Sequence, residues 1–149
     1  MILHTTLIFL HILTASAWFG MSMRLGSQAK LAATGQSAVA VDGIRTISLM
    51  GMMLIATFVF SMTLLFVGDG YPGQPQYHIA STLIVLLLGV QFVFLRPAWN
   101  RLRDSVSHTE ESNQTEALRH ARSITIYTGL GHLLWVILLM LMFWNRLGI

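Results

Sequence analysis

Charged residues divide the chain into four apolar stretches. A helix needs about 20 apolar residues to cross the hydrocarbon core of a bilayer, and each stretch is long enough for a single crossing. The pattern therefore predicts an all-α integral membrane protein, a four-helix bundle formed by a single domain covering 1–149. The stretches without Asp, Glu, Lys or Arg are 1–23, 46–68, 70–95 and 123–145, and the predicted spans are residues 2–23, 46–68, 77–96 and 123–145.

The first two connections differ in character. Residues 27–34 are good helix formers that should prolong the first span, and Gly35 is the expected end of that helix. The whole connection 24–45 is accordingly predicted to be largely helical. In contrast, segment 68–76 holds three glycines and two prolines, which predicts a turn.

The third connection, residues 97–122, is also expected to be helical. Pro97 should end or kink the third span, because its ring clashes with the preceding helical turn. Ser107 and Glu110 fit a capping box, in which a serine hydroxyl and a glutamate bond to free amide groups at a helix start. A polar helix is expected to run from there into the fourth span.

The charge distribution predicts how the bundle is oriented. The chain has nine Lys or Arg and six Asp or Glu, 10% in all, whereas soluble domains carry roughly 25%. Eight basic residues lie in connections 24–45 and 96–122, and only Arg146 lies on the other side. The positive-inside rule then places both termini outside, on the periplasmic side of a bacterial inner (cytoplasmic) membrane. Because the basic residues flank membrane spans, no nucleic-acid partner is expected.

Composition excludes several classes of chemistry. Without cysteine there is no disulfide, thiolate nucleophile or Cys-ligated metal centre. The absence of acidic residues from the predicted spans argues against a proton pump or a cation-coupled carrier. No arrangement of serine, histidine and aspartate favours hydrolysis. The nine methionines carry soft ligands suited to Cu(I), but they are interpreted as filler of apolar helices.

Two histidines lie deep within predicted spans. His11 is ten residues into the first span and His132 is nine residues into the fourth, which runs the opposite way. At ~1.5 Å per residue the two imidazoles are expected at nearly the same depth, where they would ligate one b-type haem from both faces. Trp18 shares a helix face with His11, and Gly129 lies one turn before His132, where a missing side chain admits a flat macrocycle.

Other interpretations of the histidines stay open. A neutral histidine can simply bond to a serine, a threonine or a carbonyl of a neighbouring helix, and glycines can be packing points. His78 is the substitute for the opposite haem ligand. His4 and His78, near the outer interface, would form a further axial pair or contact a quinone, or are ordinary interfacial residues. His108 and His120 are expected to be solvated.

The first span also resembles a known grouping. Leu10-His11-Ile12-Leu13 followed by Ala17-Trp18-Phe19-Gly20 resembles the opening of small bacterial membrane proteins that include copper-resistance-D-like proteins and HemJ-type protoporphyrinogen oxidases. Segments 94–102 and 122–134 are similar to the third and fourth spans of that grouping. The resemblance implies a haem-associated four-helix bundle with His11 as an axial ligand. Segment 21–27 departs from the oxidase pattern, because its arginine is at another spacing and it has no tyrosine or histidine. The resemblance therefore implies the fold and the haem for this chain, but not the oxidase activity.

These patterns predict a membrane protein that holds one haem b through His11 and His132 and passes single electrons. A quinone or a redox protein would be its partner on the outer side. The first alternative is a cofactor-free accessory subunit that docks through Ser16 and Gly20 against a larger membrane complex or a second copy. The second alternative is a HemJ-like porphyrinogen oxidase. A redox or binding subunit is favoured over a self-contained enzyme.

Overall fold

A computed structural model describes residues 2–67, 74–107 and 111–147, and almost all of them are helical. Four of the helical segments are long and apolar enough to cross a membrane, which confirms the predicted all-α protein with four helices able to span a bilayer. The helix between Pro75 and Ser107 is continuous but includes one π-helical turn. The elements are α1 (Ile2–Ala33), α2 (Ser37–Val67), α3 (Pro75–Gly89), the π turn (Val90–Leu95), α4 (Arg96–Ser107) and α5 (Glu111–Leu147).

The first connection folds as the sequence predicts. Helix α1 continues ten residues past the predicted span to Ala33. Gly35 then adopts a φ of 94°, a left-handed conformation that glycine tolerates without steric cost, and its N–H donates to the carbonyl of Ala32. Helix α2 begins two residues later at Ser37, so the two helices form an antiparallel pair joined by a tight turn.

The third span is modified near Pro97 rather than ended there. The N–H of Arg96 donates to the carbonyl of Gln91, five residues back, which is the bond of a π-helix. Pro97 has no N–H to donate and its ring crowds the carbonyl four residues earlier. A wider turn just before proline relieves that crowding, so the helix continues as α4.

The side chain of Gln91 joins this irregular turn to α2. It is 1% exposed, and its Nε2 donates to the carbonyl of Ile47 at 3.0 Å. The predicted capping box at Ser107–Glu110 lies mostly outside the described residues. Ser107 itself donates to the carbonyl of Asp104 at the end of α4.

The most tightly packed part of the bundle lies at the end that carries connections 24–45 and 96–122, called here the basic end. Trp99 is fully buried there, donates through Nε1 to the carbonyl of Ala40 at 2.9 Å, and lies against Gly43. Small side chains of α1 allow the helices to approach closely at this end. Completely buried apolar residues in this region include Leu25, Ala29, Ala32, Trp99, Leu102 and Ile124. The opposite end of the bundle is less densely filled and holds the cavity described next.

Candidate ligand site around His11

A cavity of about 270 Å³ lies among α1, α2, α3 and α5, in the half of the bundle away from the basic end. Its walls are mostly aliphatic and aromatic. The volume of the cavity is close to the lower limit of the ~300–1,000 Å³ typical of ligand pockets. Such pockets are mostly apolar, with a few polar groups at defined positions. The polar and aromatic side chains that line it are His11, Trp18, Thr57, Ser61, Tyr77, Ser81 and Trp135, and Met142 supplies a sulfur.

His11 is the titratable side chain that lines the cavity most deeply. It is 8% exposed, and its Nδ1 lies 3.1 Å from Oγ of Ser61 on α2. The hydroxyl of Ser61 donates its only proton to the carbonyl of Thr57 at 2.7 Å. Ser61 can therefore only accept from His11, so Nδ1 carries the ring proton and Nε2 keeps its lone pair. A histidine whose Nδ1–H is held in this way is the usual form of a metal-ligating imidazole.

A second hydrogen bond between side chains of α1 and α2 fixes the axial position of His11 relative to α2. Oγ1 of Thr57 lies 2.9 Å from Oγ1 of Thr14, one turn along α1 from His11. The hydroxyl of Thr14 also lies 2.9 Å from the carbonyl of Leu10. Residues 11 and 14 on α1 thus face residues 61 and 57 on α2, and these contacts set the register of the helix pair. These two α2 hydroxyls were not singled out in the sequence analysis. Their i, i+4 spacing, opposite an i, i+3 pair on α1, is the signal that identifies them.

Trp18 lines the same cavity and contributes a donor without a partner. The residue is 3% exposed, and its Nε1 is buried with no hydrogen-bond acceptor among the described residues. Its six-membered ring lies against Gly131, whose hypothetical Cβ would be 3.3 Å from the ring. His11, Ala15 and Trp18 all line the cavity, so they share the helix face that their spacing predicts. A buried N–H without an acceptor costs about 1–3 kcal/mol, which a ligand oxygen would recover.

The structure does not bring His132 to His11. Nε2 of His132 lies 2.7 Å from Oγ of Ser22, and that hydroxyl donates to the carbonyl of Phe19. Nε2 of His132 is therefore the protonated nitrogen and is engaged between α5 and α1. Ser22 is eleven residues beyond His11, about 16 Å along α1. The expected axial pair of His11 and His132 is therefore wrong, because a ring bonded to Ser22 does not reach an iron held by His11.

The reason for this correction is the helix register. Equal depth requires that the first uncharged residues of the two spans lie at opposite membrane surfaces, but α1 and α5 pair at other positions. Gly26 faces Thr125, and Gly131 faces Trp18. These contacts place the ring of His132 well toward the basic end, where it also meets Phe19 edge-on, with 5.2 Å between ring centroids.

The remaining candidates lie outside the cavity. Gly129 is exposed, and a Cβ added there would have nothing within 4 Å, so it admits no macrocycle into this cavity. His78 is exposed and His4 is half-buried, and neither lines the cavity, although Tyr77 and Ser81 beside His78 do. His120, which was expected to be solvated, is half-buried and lies 3.6 Å from the exposed Glu116. His108 lies outside the described residues.

The site combines an imidazole lone pair, an indole donor and apolar walls. The described residues contain no group of three or more His, Asp or Glu arranged to hold a metal ion. A metal that brings most of its own ligands, as in a macrocycle, requires only one side chain from the protein. Comparisons with family models, curated proteins and solved structures found no match to this chain.

Proposed function

We propose that this protein is a membrane-embedded b-type haem protein, in which His11 ligates the iron and the His11 cavity encloses the macrocycle. The observation that carries the proposal is the hydrogen-bond chain from His11 through Ser61 to the carbonyl of Thr57. In the neutral imidazole it fixes the tautomer that leaves a lone pair on Nε2. Haem supplies one-electron redox chemistry when bound.

The protein's own residues would bind and orient this group. Trp18 offers its buried N–H to an oxygen of the ligand, and the aliphatic walls from α3 and α5 exclude water. With His132 bonded to Ser22, a second ligand to the iron would come from the sulfur of Met142 or the hydroxyl of Tyr77, both on residues that line the cavity. Burial and the identity of the second ligand would then set the reduction potential.

An optical spectrum of the purified protein tests the proposal. Protein produced with ample haem should show Soret and α-band changes between its reduced and oxidised forms. His11→Ala should abolish them, while His132→Ala, which removes another histidine of the same bundle, should leave them in place. Both variants should elute as the parent protein in size-exclusion chromatography. A colourless parent protein, or equal loss of colour in both variants, would overturn the proposal.

The orientation in the membrane is part of the same proposal. The basic end would face the cytoplasm of a bacterium, and the cavity would lie in the outer half of the inner membrane. A quinone or a redox protein would then exchange electrons from the periplasmic side. Alkaline phosphatase fused after Ile149 should be active and a fluorescent protein fused there should be dark. The reverse pattern would overturn this orientation.

One observation favours a second candidate, the cofactor-free accessory subunit. Ser16 and Gly20 are both exposed on one face of α1, and a Cβ added to Gly20 would meet nothing within 4 Å. Such a small-residue face suits close contact with another membrane helix. If this is the role, Gly20→Leu should release the protein from a larger native complex, and the parent protein should be colourless at full haem supply.

A further inference from the structure

A second cavity, of about 200 Å³, lies at the basic end between α2 and α4. Arg96, Asn100 and Arg103 of α4 line one side, and Ser48 of α2 lines the other, with Ile44 and Ile47 beside it. Positions 96, 100 and 103 follow the i, i+4, i+7 spacing of one helix face. We call this cavity the basic groove. It brings two guanidinium groups, an amide and a hydroxyl to one opening.

The charge of the basic groove is positive. Arg103 is paired with the neighbouring Asp104 at 2.9 Å, but both side chains are exposed, 44% and 62%, so the pair is weak. Within the described part of the chain, Arg96 makes no ion pair. None of the described residues that line the groove is acidic. Arg96 is thus a cation in a small cavity that also offers hydrogen-bond donors, which suits a phosphate group.

The position of the basic groove selects the source of that phosphate. Arg96 is the first charged residue after the apolar stretch 70–95, and Ser48 is just inside the stretch 46–68, so the groove lies at the level where lipid headgroups meet the bundle. Farther into the membrane, Met52 and Ile55 are exposed on the same face of α2 as Ser48. Phe92, one turn before Arg96, packs against Gly51 and is partly exposed. An apolar strip for an acyl chain therefore adjoins the groove.

We infer that the basic groove binds the phosphate of an anionic phospholipid, with Arg96 as the principal cation and an acyl chain along Met52, Ile55 and Phe92. Basic pockets between membrane helices at the headgroup level are a known mode of anionic lipid recognition. A free phosphate ion shares the headgroup's chemistry but would gain nothing from the apolar strip. This inference does not depend on the proposed haem.

Lipid retention by the full-length protein tests the inference. The protein is reconstituted in vesicles of equal parts phosphatidylglycerol and phosphatidylcholine, extracted in mild detergent, and its retained lipids are quantified by mass spectrometry. Phosphatidylglycerol should be enriched, and Arg96→Gln should reduce the enrichment about fivefold, the effect of one basic residue at a charged membrane surface. Arg101→Gln, the same charge change on α4 but outside the groove, should leave the enrichment unchanged.

Two further arms complete the test. Arg96→Lys should keep most of the enrichment, because the charge remains. Soluble glycerophosphoglycerol and inorganic phosphate should fail to displace the lipid at equal concentration; displacement by either one would show recognition of phosphate alone and overturn a lipid site. Equal losses in Arg96→Gln and Arg101→Gln would overturn the inference too, because they would reduce it to general surface charge.

Discussion

Helices α2 and α4 pack together through Gly43 and Trp99. A Cβ added at Gly43 would lie only 1.8 Å from Cζ2 of Trp99 and 2.4 Å from its Cε2. The indole has little freedom to move, because it is fully buried and bonded through Nε1 to the carbonyl of Ala40. We therefore expect Gly43→Ala to destabilise the bundle by forcing a rigid aromatic ring out of its position.

The magnitude follows from three contributions. Overpacking a buried site costs ~1–3 kcal/mol, and the upper end applies here because atoms of a rigid ring lie inside contact distance. Displacing the ring breaks the hydrogen bond of Trp99 to Ala40, which adds about 1 kcal/mol. The better helix propensity of alanine returns up to ~1 kcal/mol. The free energy of unfolding should thus fall by about 3 kcal/mol.

Reversible unfolding in mixed micelles, followed by circular dichroism, measures this loss. Gly20→Ala is the matched control, since it makes the same change within α1 where nothing lies within 4 Å of the new Cβ; its stability should equal or exceed that of the parent protein. Trp99→Leu in the Gly43→Ala background should be less harmful than Trp99→Leu alone, because the two sites are in contact. A Gly43→Ala variant as stable as the parent, or equal losses at both glycines, would refute the reasoning.

Three further predictions concern His11, His132 and the indole of Trp18. Ser61→Ala removes the acceptor that orients His11 and should weaken haem binding about 10–100-fold in a titration of ligand-free protein, whereas unchanged affinity would contradict the assigned tautomer. Ser22→Ala should lower the free energy of unfolding by ~0.6 kcal/mol in the parent protein but by nothing further in His132→Ala, because the two side chains share one bond. An equal loss in both backgrounds would contradict this. Trp18→Phe removes a buried N–H that has no acceptor among the described residues, so it should weaken haem binding. The free energy of unfolding should stay within about 1 kcal/mol of the parent value, because the loss of ring contacts and the removal of an unbonded donor have opposite effects. A large loss of stability, measured by the same unfolding assay, would show that the N–H already has an acceptor.

The pattern of charge along the chain was sufficient for the number of crossings and for several boundaries. Transfer of a charge into lipid is costly at each position separately, so a run of uncharged residues identifies a span without knowledge of its neighbours. Gly35 likewise identified the end of α1 by itself, since the left-handed conformation there favours glycine. The effect of Pro97 was only half predictable, because a π turn absorbs the crowding and the helix continues.

The candidate site was predictable only where one helix decides the geometry. The spacing of His11 and Trp18 fixes a shared face whatever else surrounds α1, and both residues line the cavity. The depth of His132 relative to His11 depends on the axial register between α5 and α1. That register is set by contacts between the two helices, such as Gly131 with Trp18 and Gly26 with Thr125, so neither helix determines it alone.

The sequence by itself determined that this chain has four segments able to cross a membrane and which face of α1 carries its most deeply buried histidine. Tertiary structure alone decided that Ser61 holds His11 at a cavity while Ser22 engages His132 elsewhere. The physical reason is the range of the forces involved. Hydropathy and backbone conformation act residue by residue, whereas helix register results from side-chain packing summed over every contact between neighbouring helices.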